Sequence, residues 1–222
     1  MDLGCVTLIR NILYMVSQDD IIKSVSYDQE EIIRNIMQLY CPNKSIDVDP
    51  TFSKGVFYQN LPKPKYVYDL HPQSAEVIQS DCRHLPHEDE SVTSIMFDPP
   101  FQGGGGPNGI MKVRFGYYKS MPDLWNMYRE SLKEFHRILK PKGVLIFKCQ
   151  DAIESGKQYL SHIEIINYAL SLGFYPKDIF ILVAKNRLIR FKTQQHARKY
   201  HSYFLVFIKQ KNPVQYSGVP TN

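Results

Sequence analysis

Cysteine is scarce in this chain and is never paired at short spacing. It occurs at Cys5, Cys41, Cys82 and Cys149, and no interval fits a zinc pattern or a disulfide framework. A metal-stapled or disulfide-stapled small domain is thereby excluded, and the thiols read as reduced and cytoplasmic. Long apolar runs are missing as well. The segment from Cys5 to Val16 is broken by Arg10 and Asn11, has no basic stretch before it and is too short to span a bilayer. Neither a leader nor a membrane span is expected. There are no internal repeats, which excludes solenoid and propeller architectures. Strong charge of either sign is absent too: the net charge is +5 and the isoelectric point is near 8.9, compatible with a polyanionic partner without demanding one.

What is present suits one α/β domain with a modest extension, at 222 residues and 43% hydrophobic content. Residues 1–42 read as a helical extension. Tyr27-Asp28-Gln29-Glu30-Glu31 opens a helix with acids at its positive end, and Ile32, Ile33, Ile36, Met37 and Tyr40 follow at helical spacing. Such a helix packs on a sheet edge, covers a cofactor or is a plain extension. Strands are expected at Ser45–Asp49, Lys65–Asp69, Glu76–Asp81, Ser94–Phe97, Gly143–Lys148, Ile179–Val183 and Ser202–Phe207.

Ser120-Met121-Pro122-Asp123 starts a helix with capping-box spacing. Leu124, Met127, Tyr128, Leu132, Phe135, Ile138 and Leu139 form its apolar face, Trp125 reads as core, and Pro141-Lys142-Gly143 is expected to break it. Ser161 to Leu172 is another helix, stopped at Gly173. The alternation predicts a doubly wound, mainly parallel sheet with one antiparallel strand, spanning residues 43–210. Residues 211–222 are expected to form a disordered tail.

The most informative stretch is Ser94 to Phe101. A buried strand runs straight into Asp98-Pro99-Pro100-Phe101. Neither proline can donate to a ladder, and each restricts the residue before it to extended backbone. The result is a stiff corner at a strand's carboxyl end, the edge where open α/β sheets bind ligands. A carboxylate on one side and a flat ring on the other suit an exocyclic amine on a nucleobase. That nitrogen is a poor nucleophile because its lone pair is delocalised into the ring. Acceptors for its two N–H groups favour a more pyramidal nitrogen, and an aromatic ring stacks on the base. The alternative is a Pro-rich turn that merely ends a core strand.

This stretch resembles the catalytic motif of the amino-group methyltransferases, Asp/Asn/Ser-Pro-Pro-Phe/Tyr/Trp. That family uses S-adenosylmethionine to methylate adenine N6 or cytosine N4 in DNA, and relatives act on guanine N2 in RNA or on glutamine. Asp49-Pro50-Thr51-Phe52-Ser53-Lys54-Gly55 resembles the family's Asp-Pro-Phe-x-Gly-x-Gly turn. Asp49, Pro50 and Gly55 match, while Thr51 replaces the phenylalanine and Ser53 the first glycine. Asp81-Cys82-Arg83-His84-Leu85-Pro86 resembles Gly-Asp-x-x-x-Leu-Pro with Ser80 in place of glycine, and Leu139 to Gly143 spells the Leu-Lys-Pro-x-Gly common in class I methyltransferases.

The resemblance implies a class I, Rossmann-like methyltransferase fold, a compact form without a target-recognition domain. It implies catalysis by Asp98, Pro99, Pro100 and Phe101, with S-adenosylmethionine held by Asp49, Pro50, Thr51, Gly55, Asp69, Asp81 and Cys82. Asp69 ends the second strand, where this fold hydrogen-bonds ribose hydroxyls. Asp at the head of the catalytic motif favours adenine over cytosine.

Two further segments bear on a nucleic-acid partner. Gly103 to Gly106 is followed by Pro107, Asn108 and Gly109 rather than by a helix start, which suits a lid better than a phosphate loop. Arg114 and Lys119 then interleave with Phe115, Tyr117 and Tyr118. The connection from Lys185 to His201 carries Lys185, Arg187, Arg190, Lys192, Arg198 and Lys199 with no acid, and in this fold it faces the catalytic edge. Its His196 and His201 lack a Cys or Glu cluster at ligand spacing, so no metal is expected. The alternative for each segment is a solvated surface loop, which suits the first as well as a nucleic-acid contact does and the second less well.

The leading expectation is a DNA adenine-N6 methyltransferase. An RNA methyltransferase and a catalytically silent nucleic-acid-binding subunit are the alternatives. With no recognition domain left over, sequence recognition would come from loops, a homo-oligomer or a partner.

Overall fold

The computed structural model describes residues 21–103, 118–185 and 194–211. In chain order its strands are β1 (Val25–Ser26), β2 (Val48–Asp49), β3 (Tyr66–Asp69), β4 (Ile78–Gln79), β5 (Val92–Phe97), β6 (Leu139–Cys149), β7 (Ala152–Glu154), β8 (Lys157–Tyr159), β9 (Phe174–Val183) and β10 (His201–Lys209). Eight of them form one sheet in the order β1–β9–β10–β6–β5–β2–β3–β4, and β7 and β8 form a separate hairpin. β10 runs antiparallel to β6 and β9, and the other neighbours in the large sheet pair in parallel. This is the doubly wound, Rossmann-like class I methyltransferase sheet with one antiparallel strand, as expected.

The alternating pleat sends neighbouring strand residues to opposite faces. On one face Met96, Ile146, Phe204 and Val206 pack against Ile32, Ile33, Ile36 and Met37 of α1 (Gln29–Tyr40). On the other, Phe97, Phe147 and Phe207 pack beneath α2 (Met121–Ile138) and α3 (Ser161–Ser171). Phe135 of α2 meets Phe97 edge-on, with ring centroids 4.8 Å apart. Removing a ring such as Phe135 from so closed a core costs about 3–5 kcal/mol.

Among the described residues, two of the three α-helix starts are set by capping side chains. Asp28 caps α1 by accepting the N–H groups of Glu30 and Glu31, and Ser120 caps α2 by accepting that of Asp123.

Several elements differ from the sequence expectation. The strand expected at Ser45–Asp49 is confined to Val48–Asp49: the Asp47 carbonyl still accepts the Tyr66 N–H on the β3 side, but on the β5 side side chains stand in for ladder bonds. Asp47 Oδ2 accepts from the Thr93 N–H and hydroxyl, and Ser94 Oγ accepts the Asp47 N–H. The third strand shrinks to exposed Ile78–Gln79 at the sheet edge. Pro141-Lys142-Gly143 does not divide helix from strand. α2 ends at Ile138 and β6 begins at Leu139, with the Lys-Pro-Lys-Gly segment absorbed as a register shift against β5 and Lys142 at φ 69°. A Cβ at Gly143 would lie 2.8 Å from the Lys140 carbonyl oxygen, so glycine is required by close approach. Finally, the segment before α1 is not all helical: Val25–Ser26 adds a parallel edge strand to β9.

Among the described residues, no helix is long and apolar enough to cross a membrane.

Candidate active site

β2, β3 and β5 all end on one sheet edge, and their last residues set the site. Asp49 closes β2 and is buried. Its Oδ1 accepts the Thr51 N–H at 2.8 Å and its Oδ2 accepts the Tyr58 hydroxyl at 2.8 Å. Burial pushes its carboxyl up to about 7, against the pull of those hydrogen bonds. Asp69 closes β3, and its two oxygens accept the backbone N–H groups of Ser53 and His71. Asp69 therefore fastens the Pro50–Gly55 turn to the next strand.

The turn keeps a glycine-type backbone although Ser53 stands where the family has glycine. Ser53 adopts φ 52°, in the left-handed region, a conformation that costs an L-residue about 1–2 kcal/mol. Gly55 is irreplaceable on two counts: its φ is 64°, and a Cβ there would lie 2.4 Å from the Phe52 ring.

Asp81 follows β4. Its carboxylate is engaged by the N–H and guanidinium of Arg83, which also pairs with Glu130, and the guanidinium holds the carboxyl below its ordinary range. Cys82 is partly buried, with Sγ 3.2 Å from the Ser131 hydroxyl, and burial raises its thiol to about 12. It is no reactive thiolate.

Asp98 leaves β5 with its N–H on Thr51 Oγ1 at 2.9 Å. A quarter of the Asp98 side chain is exposed, yet Oδ1 is buried and has no hydrogen-bond partner. Lys148 Nζ approaches Oδ1 at 3.4 Å and Oδ2 at 3.5 Å. Burial raises the Asp98 carboxyl and Lys148 opposes the rise. The buried Tyr128 hydroxyl donates to the Pro100 carbonyl and locks the double-proline corner onto α2.

A narrow cleft of about 50 Å³ collects the expected residues from both motifs. Pro50, Thr51, Asp69, Asp81 and Cys82 line it together with Pro99 and Pro100. Asp49 and Gly55 are not on its wall but shape the turn behind it. A wider cleft of about 580 Å³ lies between Gln102, Gln150, Asp151 and the segment Gln195–Lys199. Arg198 and Lys199 thus share a cleft with Gln102, the residue after the double-proline corner. Lys185 is exposed just past β9, and Lys119 is exposed just before α2, its N–H on Asp123. Arg114, Arg187, Arg190 and Lys192 lie outside the described residues, as do the four-glycine run beyond Gly103, the residues before Ile21 and the tail after Lys211.

Sequence reasoning missed Lys148, Gln29, Tyr58 and Tyr128. Only Lys148 left a trace, as a lone cation inside the apolar run Val144–Cys149.

A DNA methylase family profile matches residues 92–220, more than half of the chain, and the chain belongs to that N6/N4 methyltransferase family. Membership implies S-adenosylmethionine as the cofactor. No curated protein sequence matches the chain. Among solved structures the chain is similar to a methyltransferase of Haloferax volcanii in complex with its Trm112 activator, at 15% identity over 76% of this chain and 83% of that one, with a TM-score of 0.49. It is similar to a DNA modification methylase of Thermus thermophilus complexed with S-adenosyl-L-methionine, at 19% identity over 61% and 57%, with a TM-score of 0.43. It is also similar to the cytosine-N4-specific PvuII DNA methyltransferase, at 14% identity over 61% and 49%, with a TM-score of 0.46. The chain spans about half the length of these last two proteins.

Proposed function

We propose that the protein transfers a methyl group to an exocyclic amine of a nucleobase, adenine N6 in DNA before cytosine N4. The observation that carries this reading is the Asp98 carboxylate. It stands at the end of β5 next to Pro99, Pro100 and Phe101, with one buried oxygen that has no hydrogen-bond partner. An unsatisfied buried acceptor calls for a donor, and an exocyclic amine has two N–H groups to offer. Asp98 would accept one and the Pro99 carbonyl the other, while Phe101 stacks on a base flipped from the duplex. When bound, S-adenosylmethionine supplies an electrophilic methyl group. The amine would take that methyl directly, without a covalent enzyme intermediate, and Asp98 would accept the amine's surplus proton.

The cofactor suits the donor set. Its ammonium, ribose hydroxyls and adenine amine are all hydrogen-bond donors, and the cleft carries the carboxylates of Asp69 and Asp81, whose second lone pairs would take them beside the Ser53 and His71 N–H groups and the Arg83 guanidinium. We assign cofactor binding to Pro50, Thr51, Asp69, Asp81 and Cys82 on the wall, with Asp49 and Gly55 holding the turn. The domain that would carry the reaction is residues 43–210, with α1 laid on its sheet. Lys119, Lys185, Arg198 and Lys199, with Arg114, Arg187, Arg190 and Lys192, would grip phosphates. Sequence recognition would come from loops, a second copy or a recognition partner.

The test is incubation with methyl-labelled cofactor and either DNA or RNA, followed by base analysis. N6-methyladenine in DNA is the expected product. Label confined to RNA moves the substrate to RNA, and N4-methylcytosine changes the base. Intact cofactor binding with no label on either polymer overturns the enzyme and leaves a silent nucleic-acid-binding subunit.

A further inference from the structure

We propose that Lys148 is a positioning residue for Asp98, and that Gln29 of the N-terminal helix completes the arrangement.

The register of the sheet creates the pair. Phe97 of β5 lies opposite Phe147 of β6 in a parallel ladder, so the next residues, Asp98 and Lys148, come side by side at the catalytic edge. Lys148 is 8% exposed. Its Nζ sits 4.8 Å from the Phe57 ring centroid and 5.5 Å from those of Phe101 and Phe204. Gln29 Oε1 accepts from it at 2.8 Å. A buried ammonium needs a counter-charge, and rings alone offer only part of one. Asp98 supplies it.

The geometry is long for a tight ion pair. At 3.4–3.5 Å from the two oxygens, Lys148 lends its charge without occupying the Oδ1 lone pair, which remains without a hydrogen-bond partner. Phe101 is shared, serving both as a wall of the Lys148 site and as the ring beside the corner. Lys148 thus favours the ionised form of Asp98 and fixes its place, and α1 reaches the corner through Gln29.

Other titratable groups that feel Asp98 are Asp49 on β2, Tyr58 after the turn and Tyr128 on α2. None of these is a cation. Desolvation pushes the Asp98 carboxyl up, and Lys148 is the group that pulls it down. Without Lys148 the carboxyl would hold its proton to higher pH, and in that form it is a weaker acceptor with one donor O–H of its own.

The kinetic part of this inference rests on the function proposed above, while the pairing itself does not. The experiment is a carboxyl ¹³C NMR titration of the full chain without substrate, with Asp98→Asn used to assign the Asp98 signal. Lys148→Met should raise the Asp98 midpoint by about one pH unit or more, and Gln29→Ala should raise it less. In single-turnover methyl transfer, the acid limb of the Lys148→Met profile should move alkaline by the same amount. On the acid limb of the wild-type profile the rate should fall about tenfold and recover at higher pH, with cofactor affinity within about threefold of wild type. An unmoved Asp98 midpoint in Lys148→Met overturns the proposal. Should that variant fail to fold, an unmoved midpoint in Gln29→Ala overturns it instead. A displaced midpoint with no methyl transfer to any nucleic acid removes the proposed function and leaves the Asp98–Lys148 pairing standing.

Discussion

The hydroxyl of Thr51 joins Asp49 to Asp98: it donates to Asp49 Oδ1 at 3.3 Å and accepts the Asp98 N–H at 2.9 Å. A turn motif and the double-proline corner, almost fifty residues apart in sequence, are tied by one oxygen. Thr51→Val keeps the shape and removes both bonds. It should destabilise the fold by about 1–3 kcal/mol, the range for stranding a buried donor, and lower turnover at Asp98. Thr51→Ser should restore both. Urea denaturation and single-turnover assays check this, and a Val variant of wild-type stability refutes it.

With the Asp98 carboxylate acting on the substrate amine as proposed, Asp98→Ala should abolish methyl transfer and leave cofactor binding nearly intact. Calorimetry and a labelled-methyl assay on the same preparation separate the two effects. Near-normal turnover would reduce the double-proline corner to a structural turn.

Much of this site is legible in the sequence alone. An apolar strand running into two prolines marks a stiff corner at a strand's carboxyl end, and the acids Asp49, Asp69 and Asp81 each fall beside a strand's end. The capping of α2 by Ser120 is equally plain. Lys148 is not, because its role depends on the β5–β6 register and on rings brought from Phe57, Phe101 and Phe204, three remote stretches. Local sequence carries no such information. The shortness of β2 has the same origin, since the competing acceptor, Asp47, finds its donors on β5. The engagement of Asp81 by Arg83 depends on a side-chain rotamer, and the pattern of acids alone is blind to it.

Asp69→Ala should weaken cofactor binding by about 1.5–3 kcal/mol, the range for hydrogen bonds to a charged group. It should also loosen the turn, because the Ser53 and His71 N–H groups lose their acceptor. Calorimetry reads the first effect and hydrogen exchange at Ser53 the second. Binding at wild-type affinity would remove Asp69 from the cofactor site.

Asp49 makes stability pH-dependent. Its folded-state carboxyl titrates at about 7 against an ordinary 3.8, so the folded protein binds the proton more tightly than the unfolded chain. The stabilisation is full below the ordinary value and is lost as pH rises through about 7. Asp81, held low by Arg83, runs the other way, but its pair is partly exposed and screened. Relative to wild type, Asp49→Asn should therefore gain stability as pH rises across that window, by a few kcal/mol at most. Parallel urea curves for the two proteins at every pH would refute this.

Replacing Lys185, Arg198 and Lys199 with Ala should weaken binding to every duplex alike. The log–log salt slope should flatten by about 0.9 for each phosphate of B-form DNA that is no longer neutralised. Extending the substitution to Arg187, Arg190 and Lys192 should flatten it further, with little change in folding. Unchanged slopes and affinities would make the connection an inert surface.

β10 lies between β6 and β9, yet in chain order it is the last of the described strands. As the polypeptide leaves the ribosome, β6 and β9 each present an unpaired edge until residues 201–209 emerge. Phe204, Leu205, Val206 and Phe207, all essentially buried in the finished fold, arrive together at that moment. Phe204 is also one of the rings around Lys148. The nascent chain therefore passes through an interval with two open sheet edges and an incomplete site, and edges of that kind pair readily with other chains. Slowed translation just upstream of residue 201 should lower soluble yield far more than slowing elsewhere in the gene.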